Sequence, residues 1–150
     1  MARVEEIKSV LLLTHLEKEM VEKVAAIATI TTVKNGEYIF RENDKAEYLY
    51  SLLEGKVALE IEKNTSTSVR VKDIVPNRTF GISALEDAEE KKSMSHARAL
   101  TDCKLVCWEA SKLERLFAQD PKLGLRFMKR ISIILKNRLQ VAYAQMAQNS

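Results

Sequence analysis

The chain has 150 residues, of which 46% are apolar and 30% charged, and it contains only four glycines and two prolines. This composition excludes collagen-like, disordered and low-complexity proteins, and the length is that of one domain with a single core. The 24 basic and 21 acidic residues give a net charge of +3, spread along the chain, which does not by itself indicate nucleic-acid binding.

A membrane span, a disulfide bond and a zinc site are not expected. Apolar runs such as residues 10–13 are no longer than five residues, far below the roughly 18 residues of a membrane span, and the N-terminus lacks a signal-peptide apolar region. We therefore expect a cytoplasmic protein. Cys103 and Cys107 lie four apart in a predicted strand, about 13 Å from one another, which predicts reduced core residues. His15 and His96 belong to no cluster with the spacing of zinc ligands.

The first 28 residues are predicted to be helical, because apolar side chains recur with a period close to 3.6. Thr14 and Glu17 have the spacing of a capping box, which predicts that a second helix opens there.

From Thr29 to Trp108 the pattern changes to short alternating runs separated by turn residues. These runs predict a mainly β fold of mixed α+β class, with a small barrel or jelly roll over residues 29–108. The predicted strands cover residues 29–33, 37–41, 47–53, 55–62, 68–75, 96–101 and 103–108.

Helical periodicity returns over residues 111–148, which completes a single predicted domain, 1–150. Ser111 and Glu114 form a second capping-box pattern, and Asp120 precedes a proline at the first position of a helix that extends to about Gln148. Apolar side chains cover two faces of this long helix, so one can pack on the barrel and the other on a second chain. We expect a homodimer through an approximate heptad seam formed by Met128, Ile131, Leu135, Ala142 and Met146.

Residues 33–57, VKNGEYIFRENDKAEYLYSLLEGKV, closely resemble the first half of a cyclic nucleotide-binding domain. Phe80 and Gly81 lie where that family opens its phosphate-binding cassette, and residues 97–105 resemble the strands that follow it. The run Arg138-Leu139-Gln140-Val141 is similar to the long helix of the catabolite activator-like members. The resemblance spans about residues 12–146 and implies a double-stranded β-roll with flanking helices.

The resemblance also implies where a ligand would bind. Family members hold the cyclic phosphate at the N-terminus of a short helix, here Ile82–Leu85, where backbone N–H groups favour an anion. The family glutamate that binds the ribose is replaced by Ile82, which makes the floor of the site more apolar. The family arginine that pairs with the phosphate falls at Ser93, or at Lys92 if the register differs by one.

Two further family positions are occupied by His96, in place of a small hydroxyl residue, and by Tyr143, at the second of two positions whose hydroxyl residues read the base in the family. His96 is open to two interpretations, a ligand contact or a structural strand histidine. The degenerate ligand site implied by the resemblance comprises Phe80, Gly81, Ile82, Ser83, Ala84, Lys92, Ser93, His96 and Tyr143.

We expect this site to bind cyclic AMP and cyclic GMP weakly and to prefer a small anion with an apolar body. Lys91, Lys92 and Arg98 are expected to supply positive potential near it. Asn43 and Asn77 replace family glycines, and asparagine tolerates the left-handed backbone of a turn.

The predicted function is a ligand-sensing regulatory module that signals through the long helix. The alternative is a ligand-silent scaffold of the same fold that dimerises or docks a protein partner. An enzyme is not indicated, because the chain has no Gly-x-Ser-x-Gly elbow and no cupin-like metal pattern, and the acidic run 86–90 fits a solvated loop. No cofactor is expected. DNA binding by this chain alone is not expected either, because no helix-turn-helix follows the long helix before Ser150.

Overall fold

The computed structural model describes residues 1–149; Ser150, the last residue of the predicted domain, lies outside them. The chain begins with α1 (Val4–Ile7), a 3₁₀ segment (Leu11–Leu13) and α2 (Lys18–Ala26). The helical prediction for this region is confirmed, but the capping box at Thr14 is wrong. The Thr14 hydroxyl donates to the Leu11 carbonyl at 2.9 Å, so it closes the 3₁₀ segment, and α2 begins only at Lys18.

Eight strands follow the N-terminal helices, and they confirm the seven predicted ones to within a few residues. The additional strand has only two residues, too few to show an alternating pattern in the sequence. The strands are β1 (Ala28–Val33), β2 (Tyr38–Phe40), β3 (Tyr48–Glu54), β4 (Val57–Glu62), β5 (Ser68–Ile74), β6 (Thr79–Phe80), β7 (His96–Ala99) and β8 (Cys103–Glu109).

The strands form two four-stranded antiparallel sheets, ordered β1-β8-β3-β6 and β2-β7-β4-β5. Apolar side chains from both sheets meet in one buried cluster, which we call the roll interior. This arrangement is the β-roll that the sequence predicts. Its buried members are Leu52, Val57, Leu59, Ile74, Phe80, Ala97, Ala99, Cys103, Leu105 and Cys107.

The first sheet separates the roll interior from a second core on the side of the helices. Along β8, Leu105 and Cys107 belong to the interior, whereas Val106 and Trp108 belong to the cluster that includes α2 and the C-terminal helices. This alternation is the period of two that a strand buried on both faces requires. The indole N–H of Trp108 donates to the Val24 carbonyl at 3.1 Å, which fixes α2 on the sheet.

Two helices complete the fold, α3 (Ala110–Gln119) and α4 (Pro121–Gln148). The predicted cap of α4 is confirmed, because the Asp120 carboxylate accepts from the Leu123 N–H at 3.1 Å. The capping box at Ser111 is wrong, since α3 begins at Ala110 and the Ser111 hydroxyl donates to Glu109 at 3.3 Å.

Two smaller predictions are confirmed. Asn43 and Asn77 have φ angles of 71° and 73°, the left-handed conformation expected where they replace glycines. Cys103 and Cys107 are both free and buried. The structure therefore follows the local turn and strand chemistry of the sequence closely, and its departures are at helix starts.

Candidate functional site

The segment that corresponds to the cassette begins at the end of β6. Gly81 has a φ of 79° and leads into a four-residue 3₁₀ segment, Ile82–Leu85. A Cβ atom at Gly81 would lie 3.0 Å from Cδ2 of Tyr50 and 3.1 Å from the Tyr48 carbonyl oxygen. Both the conformation and the close approach require glycine here, so the turn is fixed against β3.

Three aromatic rings fill the roll interior beside this turn. Tyr50 stacks on Phe80 with ring centroids 5.3 Å apart, and Phe40 lies 5.9 Å from Tyr50 and 6.2 Å from Phe80. We call Phe40, Tyr50 and Phe80 the ring stack. Such offset ring pairs stabilise a core beyond the area that they bury. The space next to Gly81 is thus occupied by the protein's own side chains.

A shallow depression of about 300 Å³ opens the roll interior to solvent. Its lining is aromatic and apolar, with threonines from β1. Burial raises the pKa of Tyr50 to about 12 and that of the Cys107 thiol to about 11, so both are neutral at pH 7. Glu37 is the one Asp, Glu, Lys or Arg side chain that lines it. The lining residues are Thr29, Thr31, Thr32, Val33, Glu37, Tyr38, Ile39, Tyr48, Tyr50, Leu105 and Cys107.

Ile82, predicted to form the floor of the ligand site, does not line this depression. Its side chain packs against the cluster on the side of the helices. Ala84 is fully buried against Ala46 and Ala110. The Ala84 N–H already donates to the Gly81 carbonyl at 3.2 Å, so it is satisfied within the segment.

The segment after the 3₁₀ turn is held by the loop between β2 and β3. The N–H groups of Asn43 and Ser93 donate to the carbonyls of Ser93 and Asp44, both at 2.8 Å. Ser93 is buried. The backbone N–H and carbonyl of Ser93 are therefore both hydrogen-bonded, which supports a structural role for this residue.

The lysines that precede Ser93 are paired with acidic groups. The Lys91 ammonium donates to Glu114 at 2.6 Å and to the Ala84 carbonyl at 3.0 Å, which ties the 3₁₀ turn to α3. Lys92 lies 3.6 Å from Glu90 on the surface. Neither lysine lines the depression, so the expected positive potential is not found there.

His96 and Arg98 lie on the outer face of β7, opposite Ala97 and Ala99 of the roll interior. Nδ1 of His96 accepts from the Glu42 N–H at 3.0 Å, and the ring meets Tyr38 edge-on with centroids 5.6 Å apart. These contacts support the structural interpretation of His96.

Arg98 is also unavailable to a ligand in the roll. Its guanidinium donates two hydrogen bonds to the Glu60 carboxylate, at 2.9 and 3.0 Å. The first cause of the low pKa of Glu60 is this hydrogen bonding, and the same bonds raise the pKa of Arg98. Arg98, expected to supply positive potential near the site, instead has its charge paired with Glu60 and does not line the depression.

Tyr143 lies on α4, is 60% exposed, and does not line the depression. Arg138, which the sequence analysis named only within the family resemblance, contacts the residue before the cassette segment. Its guanidinium donates to the carbonyl of Thr79, the residue before Phe80. Burial lowers the pKa of Arg138. The helical periodicity of the sequence predicts that Arg138 lies on the face of α4 toward the roll. Its hydrogen-bond acceptor, the Thr79 carbonyl, is visible only in the structure.

The predicted dimer seam is exposed in part. Met128, Leu135 and Met146 are 38%, 47% and 66% exposed, and Ala142 is half-buried. Ile131 is only 2% exposed and packs in the core of its own chain. The prediction that Ile131 belongs to the seam is therefore wrong, because this side chain packs α4 against the rest of the domain.

No group of three or more His, Cys, Asp or Glu side chains is arranged to hold a metal ion within the described part of the chain. None of the helices in residues 1–149 is both long and apolar enough to cross a membrane.

The family model of the cyclic nucleotide-binding domain matches residues 30–120. This range contains strands β2 to β8 in full and all but the first two residues of β1. It also contains the cassette segment and α3.

Curated relatives include the global nitrogen regulator of a Nostoc species, 25% identical over 103 residues, which are 69% of this chain and 46% of the regulator. Glutaminase 1 of Bradyrhizobium diazoefficiens is 29% identical over 136 residues, 89% of this chain and 21% of that protein. The chain therefore spans about half of the first relative and about a fifth of the second.

Among solved structures, a protein of Geobacter metallireducens assigned to the cyclic nucleotide-binding proteins is 28% identical, with a TM-score of 0.79. The similarity covers 93% of this chain and 99% of that one.

Proposed function

This chain belongs to the cyclic nucleotide-binding domain family, and we propose that it is a regulatory module whose roll interior binds cyclic nucleotides only weakly. The observation that supports this proposal is the ring stack beside Gly81, together with a depression whose one acidic or basic side chain is that of Glu37. A phosphate there would meet a carboxylate and no guanidinium. Charge therefore opposes an anionic ligand at this place.

The expected loss of affinity is large. A hydrogen bond to a charged group contributes about 1.5–3 kcal/mol, and two such bonds are missing when isoleucine and serine stand at positions 82 and 93. Together they weaken cyclic AMP binding several hundredfold relative to a site that retains both, since 1.4 kcal/mol is a factor of ten.

Signalling is proposed to pass through α4. The Arg138–Thr79 hydrogen bond joins this helix to the residue before Phe80 and supports the proposal that a change in the cassette reaches the helix. The exposed side chains of Met128, Leu135 and Met146 offer the surface for a second chain. A homodimer through α4 is the form in which we expect the module to act.

A second candidate is a ligand-silent scaffold of the same fold. The ring stack favours it, because the protein's own side chains occupy the interior beside Gly81. A thermal-shift screen of nucleotides, carboxylates and other anions separates the two functions. A sensing module gains melting temperature with at least one ligand, whereas a scaffold gains none.

Calorimetric titration with cyclic AMP tests the proposal directly. We expect a dissociation constant well above micromolar for the natural sequence. Ser93→Arg supplies the missing guanidinium and is expected to tighten binding, whereas Lys92→Arg, which adds the same group one residue earlier, is the matched control for register. A submicromolar constant for the natural sequence would show that the proposal is wrong.

Light scattering at micromolar concentration tests the dimer. Leu135→Glu places a carboxylate in the seam and is expected to yield a monomer of 17.1 kDa. Lys136→Glu, the next residue on the same helix and also exposed, is the control and is expected to remain dimeric. A natural sequence that is monomeric at this concentration contradicts dimerisation through α4.

A further inference from the structure

A second cavity, of about 320 Å³, lies outside the roll between α4, the 3₁₀ segment Leu11–Leu13 and the turn from β5 to β6. We call it the helix cleft. It shares no lining residue with the depression of the roll interior. Its lining is Leu11, Leu12, Lys72, Asp73, Ile74, Val75, Asn77, Arg78, Thr79, Arg130, Ile133, Ile134, Asn137, Arg138 and Val141.

The helix cleft contains four cationic side chains, those of Lys72, Arg78, Arg130 and Arg138, and one acidic side chain, that of Asp73. The carboxylate of Asp73 forms ion pairs outside this group, with Lys56 at 3.3 Å and Arg70 at 3.6 Å, and its buried Oδ1 has no hydrogen-bond partner among the described residues. Across the described residues, none of the four cations has a carboxylate within 4.0 Å. The cavity therefore concentrates positive charge that the protein leaves unneutralised.

Arg138 gives this charge a fixed position. Its side chain extends from α4 and is half-buried, and among the described residues the one hydrogen bond that it makes is to the Thr79 carbonyl. A guanidinium has five N–H donors, so most of them have no protein acceptor here. A desolvated cation without an anionic partner is destabilising, and an anion bound in the helix cleft would remove that cost.

The same cavity has an apolar wall. Ile133, Ile134 and Val141 of α4 face Leu11 and Val75 across it. Small-molecule sites combine such walls with a few polar groups that fix orientation, and the volume lies at the lower end of their usual range. Inorganic ions alone would leave this wall uncovered.

We propose that the helix cleft binds a small organic anion with at least two negative charges and an apolar body, of which a phosphate monoester is the model compound. The arginine forks bind its charged end in bidentate fashion, and the isoleucine wall covers its apolar end. The predicted seam residues Met128, Leu135 and Met146 do not line the cleft, so the ligand does not compete with the proposed dimer.

Calorimetric titration of the full chain with phenyl phosphate tests this inference. We expect saturable binding that is at least tenfold tighter than binding of inorganic phosphate, which lacks the apolar body, and no binding of benzyl alcohol, which lacks the charge. Arg138→Gln is expected to weaken binding at least tenfold. Lys136→Gln removes the same charge from an exposed position of α4 outside the cleft and is expected to leave it unchanged.

Arg130→Gln is the second variant, in case Arg138→Gln does not fold, and is expected to weaken binding as well. Ser93→Arg alters the cassette segment and is expected to leave phenyl phosphate binding unchanged. A failure of this inference can therefore be told apart from a failure of the proposed cyclic AMP binding. The inference is overturned by an absence of saturable binding, by equal weakening in Lys136→Gln, or by equal affinity for inorganic phosphate. Loss of binding in Leu135→Glu also overturns it, because the site would then need a second copy.

Discussion

The depression of the roll interior and the helix cleft share no lining residue, and the charges of the side chains that line them differ. The interior beside Gly81 holds the ring stack, and the depression there is lined by one carboxylate and no cation, whereas the helix cleft is lined by four cations and one carboxylate, that of Asp73. Both have similar volumes, about 300 and 320 Å³. The family fold therefore fixes where a backbone turn lies, but not where charge suited to an anion accumulates.

The difference arises from which face of a strand or turn each side chain occupies. Arg98 is near the cassette in sequence but is directed out of the roll to Glu60, and Lys91 is directed to Glu114. Arg138 is far away in sequence but meets the backbone at Thr79. Proximity along the chain is thus a poor guide to the electrostatics of the site.

The largest expected effect comes from breaking the ring stack. Phe80→Ala removes a fully buried ring and is expected to lower the free energy of unfolding by about 3–5 kcal/mol, since the cavity cannot collapse against two sheets. Urea denaturation measures it. Met94→Ala, at a side chain 76% exposed in the cassette loop, is the control, with an expected change within about 0.5 kcal/mol. A loss below 1 kcal/mol for Phe80→Ala would contradict a filled interior.

A smaller effect tests whether Arg98 is paired with Glu60. Glu60→Gln is expected to lower the free energy of unfolding by about 2 kcal/mol at pH 7, because charge-assisted hydrogen bonds are lost. The pKa of Glu60 is held below its ordinary value of 4.5 mainly by the hydrogen bond from Arg98. Its stabilisation is therefore complete above pH 4.5 and is lost as the pH falls through the lower folded-state pKa.

Denaturation curves between pH 7 and pH 3 measure this linkage. The natural sequence is expected to lose more stability below pH 4.5 than Glu60→Gln does, so the two curves converge in acid. Glu54→Gln, at an exposed carboxylate of β3, is the matched control and is expected to keep the natural pH profile. Parallel curves for Glu60→Gln and the natural sequence would contradict the pairing.

The smallest expected effect tests the unneutralised charge of the helix cleft. Arg130→Gln is expected to raise the free energy of unfolding by about 0.3 kcal/mol at 10 mM salt, because it relieves like-charge repulsion. The gain is expected to vanish at 1 M salt, where the Debye length is about 3 Å. Lys136→Gln is expected to show less salt dependence, and an equal response in both variants would place the repulsion elsewhere than in the cleft.

The sequence by itself determined the order of the elements and the fold. Alternation over residues 29–108 gave seven of the eight strands, and Asp120 with Pro121 gave the start of α4. Asn43 and Asn77 were assigned left-handed turns from residue chemistry alone. These features depend on local preferences of three to ten residues, which is the range that a sequence pattern reports.

Only the tertiary structure decided which side chains share a cavity. The direction of Ile82 depends on the turn after Gly81, and burial of Ile131 depends on how α4 rests on the core. The four cations of the helix cleft come from β5, the β5–β6 turn and α4, more than 60 residues apart at the extremes. No local pattern marks such a group, because its members are brought together by the packing of α4 on the roll.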